Sequence, residues 1–253
     1  MSVKQIFISL SFGLVLISNV STATPVVYKA YGATPADIQT AVDQFRAALG
    51  EPNNGATPGS QYYGRREINW DGVPDSFSAP NKLPFDFFNK NSPRGAKFFG
   101  IGSGFQVSGN LGVAPVRFDN IKAGYSDIFQ TFSAQRLFTT LDNNFLEVRF
   151  FVPGDALKKA FVSGFGSVFT DVDRKGLTTI EYISKTGVVL YKGVVPTSPS
   201  GGLSFLGVYF KAGEQVAKVR ITNGNAALHP LNSDNSRQDL VTMDDFIYGE
   251  PQY

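Results

Sequence analysis

Short runs in which apolar and polar residues alternate recur along most of the chain, and they predict β-strands. In Phe145–Val152, for example, Leu146, Val148 and Phe150 would all lie on one face. Turn-forming Gly, Asn, Pro and Ser residues separate these runs. Further runs of this kind are Arg65–Trp70, Phe161–Val172, Thr178–Ile183, Val188–Tyr191, Leu203–Phe210, Val216–Thr222 and Asp239–Gly249. The pattern favours an all-β fold, a two-sheet antiparallel β-sandwich.

One segment has a helical pattern instead and predicts a single N-terminal α-helix, Pro35–Leu49. Thr34 is a suitable N-cap, Asp37 lies three residues after it, and Gly50 is a suitable C-terminal stop. The apolar face of this helix would consist of Ile38, Val42, Phe45 and Leu49. We expect this face to pack on the sandwich.

The N-terminus predicts a signal peptide, residues 1–23. Lys4 is its basic region, Ile6–Ile17 is its apolar region, and Ser21–Ala23 offers small residues for cleavage after Ala23. An uncut N-terminal anchor is the alternative. We therefore expect a secreted protein, extracellular or periplasmic. Residues 24–95 would form the helix plus a loop-rich N-terminal cap, and residues 96–253 the sandwich domain.

The composition excludes several kinds of functional site and partner. The chain has no cysteine, which excludes thiolate metal sites and cysteine nucleophiles. Its formal net charge is only +2, so we expect neither nucleic acid nor, after signal cleavage, a membrane as partner. We expect a monomer. Phenylalanine contributes 23 residues, which indicates a core between the sheets built from aromatic rings.

Acidic residues after one predicted strand partly match a calcium-binding loop. Asp171, Asp173 and Gly176 occupy the first, third and sixth positions of an EF-hand, but Lys175 and Tyr182 stand where oxygen ligands are needed. An EF-hand is therefore not expected. The alternatives are a hairpin turn with solvated acids, or a calcium site that draws further oxygens from the closing strand.

That closing strand carries two adjacent acids, Asp244 and Asp245. In an alternating strand one of them must point inward, and a buried carboxylate needs a metal, an arginine or backbone donors. One alternative is a carboxylate that ties down a loop, and the other is a structural metal. Our site hypothesis is that Asp171, Asp173, Asp244 and Asp245 meet at one edge. A metal there would be calcium, because all candidate ligands are oxygens.

The only tryptophan lies among aromatic and charged residues. An exposed Trp70, with Tyr62, Arg66 and Asp71 nearby, would form a platform on which a sugar ring could stack. The alternative is a core tryptophan that closes one end of the sandwich, with Arg–Asp pairs around it.

Signals for catalysis are weak. His229 is the only histidine and lies in a loop, and no G-x-S-x-G nucleophile motif is present. Glu67 and Asp71 are paired carboxylates that could serve glycoside hydrolysis, which needs two carboxyls across one bond.

Several short motifs resemble a family of secreted bacterial jelly-roll domains of unknown function, many of which end in a PEP-CTERM sorting tail. The motifs are Gly164–Gly166, Phe169–Asp173, Leu203–Val208, Val219–Thr222 and Met243–Phe246. The resemblance covers only the C-terminal half. It implies a jelly-roll sandwich similar to lectins, galactose-binding domains and carbohydrate-binding modules, without enzymatic activity. The sequence shows no sorting tail, so anchoring by that route is not expected.

These observations favour a secreted, non-catalytic binding module for an extracellular glycan, with calcium as a structural cofactor. The alternatives are an extracellular structural or matrix protein and a polysaccharide-acting hydrolase. A groove with two facing carboxylates would favour the hydrolase, and a shallow face with Trp70 and Tyr62 would favour the lectin.

Overall fold

The computed structural model describes residues 24–253 and consists mainly of two antiparallel β-sheets. The predicted signal peptide lies outside the described residues. The seven-stranded sheet contains β1 (Val26–Gly32), β2 (Arg65–Ile68), β4 (Gly104–Val107), β5 (Phe138–Leu141), β7 (Gly164–Thr170), β10 (Leu203–Tyr209) and β12 (Thr242–Gly249). Its order is β1-β10-β7-β12-β5-β4, with β2 paired to β12.

The five-stranded sheet has the order β3-β6-β11-β8-β9. Its strands are β3 (Ala96–Phe99), β6 (Phe145–Phe150), β8 (Thr179–Ser184), β9 (Val189–Val194) and β11 (Val216–Thr222). The helical elements are α1 (Pro35–Leu49), α2 (Phe87–Lys90), α3 (Tyr125–Ile128) and a 3₁₀ turn, Asp75–Phe77. The predicted all-β sandwich is confirmed.

Aromatic side chains fill the space between the sheets, as the phenylalanine content predicted. The Trp70 ring is stacked on Phe138 at 4.2 Å between ring centroids, and Phe246 and Phe88 meet it edge-on at 5.0 and 5.4 Å. Offset and edge-to-face pairs of this kind add about 0.5–1.5 kcal/mol each beyond burial of area. All eight residues of β12 are buried, because this strand lies in the middle of its sheet.

Helix α1 begins and ends where the sequence predicted. The Asp37 carboxylate accepts hydrogen bonds from the backbone N–H and the hydroxyl of Thr34, which fixes the first turn. The four predicted apolar residues of the helix are buried on the outer face of the seven-stranded sheet. Phe45 lies directly over the paired glycines Gly166 and Gly207. The helix therefore covers that outer face.

Residues 24–95 do not form a separate cap. Two of their segments, β1 and β2, are strands of the seven-stranded sheet and pair with β10 and β12. The predicted boundary at residue 95 therefore falls inside one continuous structure. Within residues 24–253, no helix has the length and apolar character needed to cross a membrane.

Candidate functional site

The structure buries Trp70, so this side chain offers no surface for sugar stacking. Only 1% of it is exposed, and its indole N–H donates to the Asp244 carbonyl at 2.9 Å. The alternative of a core tryptophan is the one that the geometry supports. Asp71, its neighbour in sequence, accepts the backbone N–H groups of Gln135 and Arg136. Burial raises the pKa of Asp71 above its ordinary value.

Arg66 is also buried and acts as a structural link. Its guanidinium donates to both oxygens of Glu250 at 2.7 Å, and its remaining N–H groups donate to backbone carbonyls. These carbonyls belong to Gly55, Thr57, Gly59 and Pro93. One charged pair thus holds the loop after α1 against the C-terminal strand. Of the four predicted platform residues, only Tyr62 is fully exposed.

Asp244 and Asp245 tie down the loop that precedes β5. Asp244 accepts the N–H groups of Phe132 and Ser133, and the Ser133 hydroxyl donates to both carboxylates. Asp245 also forms an ion pair with Arg46 of α1. Burial, together with the adjacent Asp245 carboxylate, raises the pKa of Asp244 well above its ordinary value. These contacts match the loop-tying alternative.

The other two predicted metal ligands lie in a different acidic group. Asp171 and Asp173 meet Asp234, with one carboxylate oxygen of each within 4.8 Å of the others. A fourth acid, Asp239, accepts the backbone N–H of Asp173 at 3.1 Å. The structure therefore does not bring Asp171 and Asp173 together with Asp244 and Asp245 in one group of ligands. We call Asp171, Asp173, Asp234 and Asp239 the acidic cluster.

Burial dominates the electrostatics of the acidic cluster. Asp171 and Asp239 are fully buried, and desolvation raises the pKa of Asp171 to about 8 and that of Asp239 to about 6. The neighbouring carboxylates contribute to both shifts, because like charges disfavour ionisation. Within residues 24–253 no ion pair joins a lysine or arginine to any of the four.

A row of charged residues crosses the outer face of the five-stranded sheet. Register places Phe99, Glu147, Arg220, Glu181 and Lys192 side by side on five successive strands. Successive side chains of a strand point to opposite faces, and the residues next to this row in sequence, such as Val148 and Val219, are buried in the core. The side chains of the row therefore point away from the core. Three basic side chains of this face, Arg149, Arg220 and Lys192, are 40–56% exposed. This outer face is therefore open to solvent.

Glu147 is the anchor of this row and is itself only 5% exposed. Arg149, Lys218 and Arg220 all lie within 3.0 Å of its carboxylate oxygens. Although burial opposes ionisation, hydrogen bonds from these three cations lower the pKa of Glu147 to about 2. The carboxylate is thus permanently ionised at neutral pH. Its role is to hold three basic side chains in place.

Two clefts meet at Arg149 on this open face. One, of about 400 Å³, is lined by Phe99, Phe145, Glu147, Glu181 and Arg220 among others. The other, of about 480 Å³, contains four basic side chains, which are Arg149, Lys159, Lys185 and Lys218. None of the described residues that line this second cleft is acidic. We call it the cationic cleft.

Aromatic rings flank the cationic cleft. Phe151 and Phe161 line it, and the Lys185 ammonium lies 5.6 Å from the Phe161 ring centroid. Phe161 also lines a neighbouring cleft of about 320 Å³ that contains the exposed Tyr62 and Tyr63. The arrangement offers fixed positive charge next to apolar and aromatic surface.

The carboxylates considered for catalysis are engaged elsewhere. Glu67 accepts from Arg46 and Arg65, and Asp71 caps backbone N–H groups as described above. His229 uses its Nδ1 to accept the backbone N–H of Leu231. These contacts give each of the three side chains a structural role.

Sequence reasoning missed Asp234, Asp239 and the charged face. Asp234 and Asp239 lie over 60 residues after Asp171, so no local spacing connects them. The charged face did leave a signal: Glu147 and Arg149, like Lys218 and Arg220, recur every second residue. The apolar positions of that alternation predict the strands, and its charged positions indicate a charged outer face.

Comparison with models of known protein families finds no match for this chain, and comparison with curated proteins finds none either. The resemblance to secreted jelly-roll domains stays a prediction.

Proposed function

We propose that this protein is a secreted, non-catalytic module that binds an acidic glycan on the open face of the five-stranded sheet. The observation that carries the proposal is the cationic cleft, which is lined by four basic side chains and by no acidic residue. Two of the four, Arg149 and Lys218, are paired with Glu147, whereas Lys159 and Lys185 form no ion pair within residues 24–253. The formal charge of the chain is close to zero, so this concentration of positive charge is a local feature.

The chemistry of the cleft suits carboxylate or sulfate groups on a sugar polymer. A guanidinium such as that of Arg149 can donate two parallel hydrogen bonds to a carboxylate. Lysine ammonium groups bind anions with less demand on geometry. The rings of Phe151 and Phe161 supply apolar surface for the C–H faces of sugar rings. The neighbouring cleft with Tyr62 and Tyr63 would extend the surface for a longer chain.

The position of the cleft also fits a binding role. Helix α1 covers the outer face of the seven-stranded sheet, whereas the outer face of the five-stranded sheet carries exposed charges. Strands β6 and β11 hold Arg149 and Lys218 in place, whereas Lys159 and Lys185 lie in exposed connections beside them. The lectin-like character implied by the sequence resemblance agrees with this location.

The open face is a poor fit to hydrolase chemistry. A glycosidase needs one carboxyl that is protonated near neutral pH to act as general acid. Two carboxylates line the 400 Å³ cleft, and neither is set up as this acid. Three cations hold the pKa of Glu147 at about 2, and Glu181 is paired with Lys192 at 2.9 Å. We therefore favour binding over hydrolysis.

The test is binding of the mature chain to polygalacturonate, with neutral dextran as the comparison, by affinity electrophoresis and calorimetry. We expect binding to polygalacturonate only, weakening steeply with added salt because the contacts are ionic. The double variant Lys159→Glu/Lys185→Glu reverses two exposed charges in the cleft and should abolish binding.

The matched control is Lys29→Glu/Lys90→Glu, which makes the same net charge change at exposed lysines outside the cleft. Equal loss of binding in both double variants would mean that only net charge matters. No binding of the wild-type chain to polygalacturonate, or equal binding to dextran, would refute the proposal and favour an extracellular structural role.

A further inference from the structure

The acidic cluster lies where three loops meet, away from the residues of the cationic cleft. Asp171 and Asp173 follow β7, and Asp234 and Asp239 precede β12. The third loop, before β10, contributes the Gly201 N–H, which donates to Asp171 at 2.7 Å. The backbone N–H of Leu240 donates to Asp234 at 3.0 Å. These bonds orient the carboxylates toward one another in spite of their mutual repulsion.

Two carboxylate oxygens of the cluster are buried without any hydrogen-bond partner. They are Oδ2 of Asp171 and Oδ2 of Asp239, both on side chains with no exposed surface. An unpaired buried carboxylate oxygen costs several kcal/mol in general, and native proteins rarely tolerate it without compensation. This observation is independent of the clustering, and it indicates a missing positive partner.

The chain itself does not provide that partner in the residues described. The nearest basic residue in sequence, Arg174, donates to the Arg237 carbonyl at 2.7 Å instead of to a carboxylate. Asp234 is within hydrogen-bonding reach of the Asp173 carboxyl, so two acids face each other directly. Four carboxylates without a cation need one from outside.

We propose that Asp171, Asp173, Asp234 and Asp239 together bind one calcium ion. Two oxygens bound to the same calcium ion are at most about 5 Å apart, given bond lengths of about 2.3–2.6 Å. The carboxylate oxygens of Asp171, Asp173 and Asp234 lie within 4.8 Å of one another and meet this limit without rearrangement. Asp239 adjoins this group, since it accepts the backbone N–H of Asp173. Calcium accepts an irregular set of six to eight oxygens, with water filling the remaining positions, whereas magnesium demands a regular octahedron.

The ion would link the loops after β7 and before β12, which are the two central strands of the seven-stranded sheet. Its role is structural, because Asp171 and Asp239 are buried and only Asp173 and Asp234 are partly exposed. The proposal does not depend on glycan binding, since none of the four aspartates lines the cationic cleft.

The experiment is thermal unfolding of the mature chain, first stripped with EDTA and then titrated with calcium chloride or magnesium chloride. We expect calcium at a hundredfold excess over its dissociation constant to raise the midpoint by roughly 5–10 °C for a chain of this size. Calorimetry should give one calcium ion per chain. An unchanged midpoint with no heat of binding, or an equal response to magnesium, would overturn the proposal.

Asp171→Asn and Asp239→Asn give the sharper result because they have opposite effects with and without the ion. Each keeps an Oδ1 acceptor for its backbone N–H but removes a charge, so the midpoint in EDTA should rise. The calcium response should disappear. Asp127→Asn, at an exposed acid in α3, is the control and should respond like the wild type.

A lower midpoint in EDTA for both buried variants, with the calcium response retained, would also overturn the proposal. If neither buried variant folds, the partly exposed Asp234→Asn decides through its calcium affinity by calorimetry. We expect at least a tenfold loss, and unchanged affinity contradicts the site.

Discussion

Replacing Gly207 with alanine tests how closely helix α1 packs on the seven-stranded sheet. A Cβ at this position would lie 2.8 Å from Cγ of Phe45 and 2.9 Å from Cζ of Phe205, closer than real Cβ contacts allow. A Cβ added at the paired Gly166 would likewise lie 2.8 Å from Cε1 of Phe45, so this ring lies close over both glycines. Overpacking of this kind costs about 1–3 kcal/mol.

Part of that cost is offset because alanine restricts the unfolded chain, which stabilises by about 0.4–1 kcal/mol. We therefore expect a net loss of roughly 1–2 kcal/mol for Gly207→Ala, measured by urea unfolding with an unchanged slope. The control is Gly72→Ala, where a Cβ would meet nothing within 4 Å. Phe45→Leu in the Gly207→Ala background should recover part of the loss by making room.

The reasoning fails if Gly207→Ala is as stable as Gly72→Ala. It also fails if the Phe45→Leu change is equally harmful in both backgrounds, because the two residues would then not be in contact. Either result would mean that α1 does not lie on these glycines and that the outer face of the seven-stranded sheet is more open than described.

Three further changes test other parts of the structure. Glu250→Gln should cost about 3–5 kcal/mol in urea unfolding, because it leaves the buried Arg66 guanidinium without its charge partner. The control is Glu51→Gln, where the acid of the ion pair is exposed, and it should cost less than about 1 kcal/mol. Equal costs for the two variants would contradict the burial of Arg66. Asp244→Ala should cost about 1–3 kcal/mol and speed hydrogen exchange at Phe132 and Ser133, whose N–H groups lose their acceptor; unchanged exchange would show that the carboxylate does not hold the loop. In EDTA, the free energy of unfolding should fall as pH rises from about 4 to about 8, because the raised pKa values of Asp171 (about 8) and Asp239 (about 6) make the folded state bind more protons than the unfolded state. Asp173 and Asp234 face the same site, and calcium should reduce this pH dependence by replacing the protons. Urea unfolding across this pH range that shows a flat or rising profile without calcium would contradict these shifts.

The sequence predicted those parts of the fold that depend on local pattern. Helix α1 carries its cap, its apolar face and its stop within 17 residues, Thr34–Gly50, and the structure confirms all three. Strand alternation was equally local. The number of strands in each sheet does not follow from local pattern. Strands β1 and β2 pair with β10 and β12, which lie far along the chain, and the loop-rich composition around β1 and β2 gave no sign of this pairing.

The candidate sites were harder to predict because their residues meet only in three dimensions. Trp70 lies at a left-handed backbone position that turns its ring into the core, and no local signal separates this from an exposed aromatic. The closing strand correctly drew attention to Asp244 and Asp245, whose partner Ser133 could not be inferred from spacing. The structure groups Asp171 with Asp173 and Asp234, and Asp239 adjoins them; Asp234 and Asp239 precede β12, and no spacing along the chain connects them with Asp171.

The central claim is that the open face of the five-stranded sheet binds an acidic glycan. The most direct measurement is chemical-shift mapping of isotope-labelled residues 24–253 during titration with short galacturonate oligomers. The account predicts shifts that concentrate on Arg149, Lys159, Lys185 and Lys218 and on the segments next to them in sequence, with helix α1 unaffected. Shifts confined to α1 and the seven-stranded sheet, or no shifts at saturating oligomer, would contradict it.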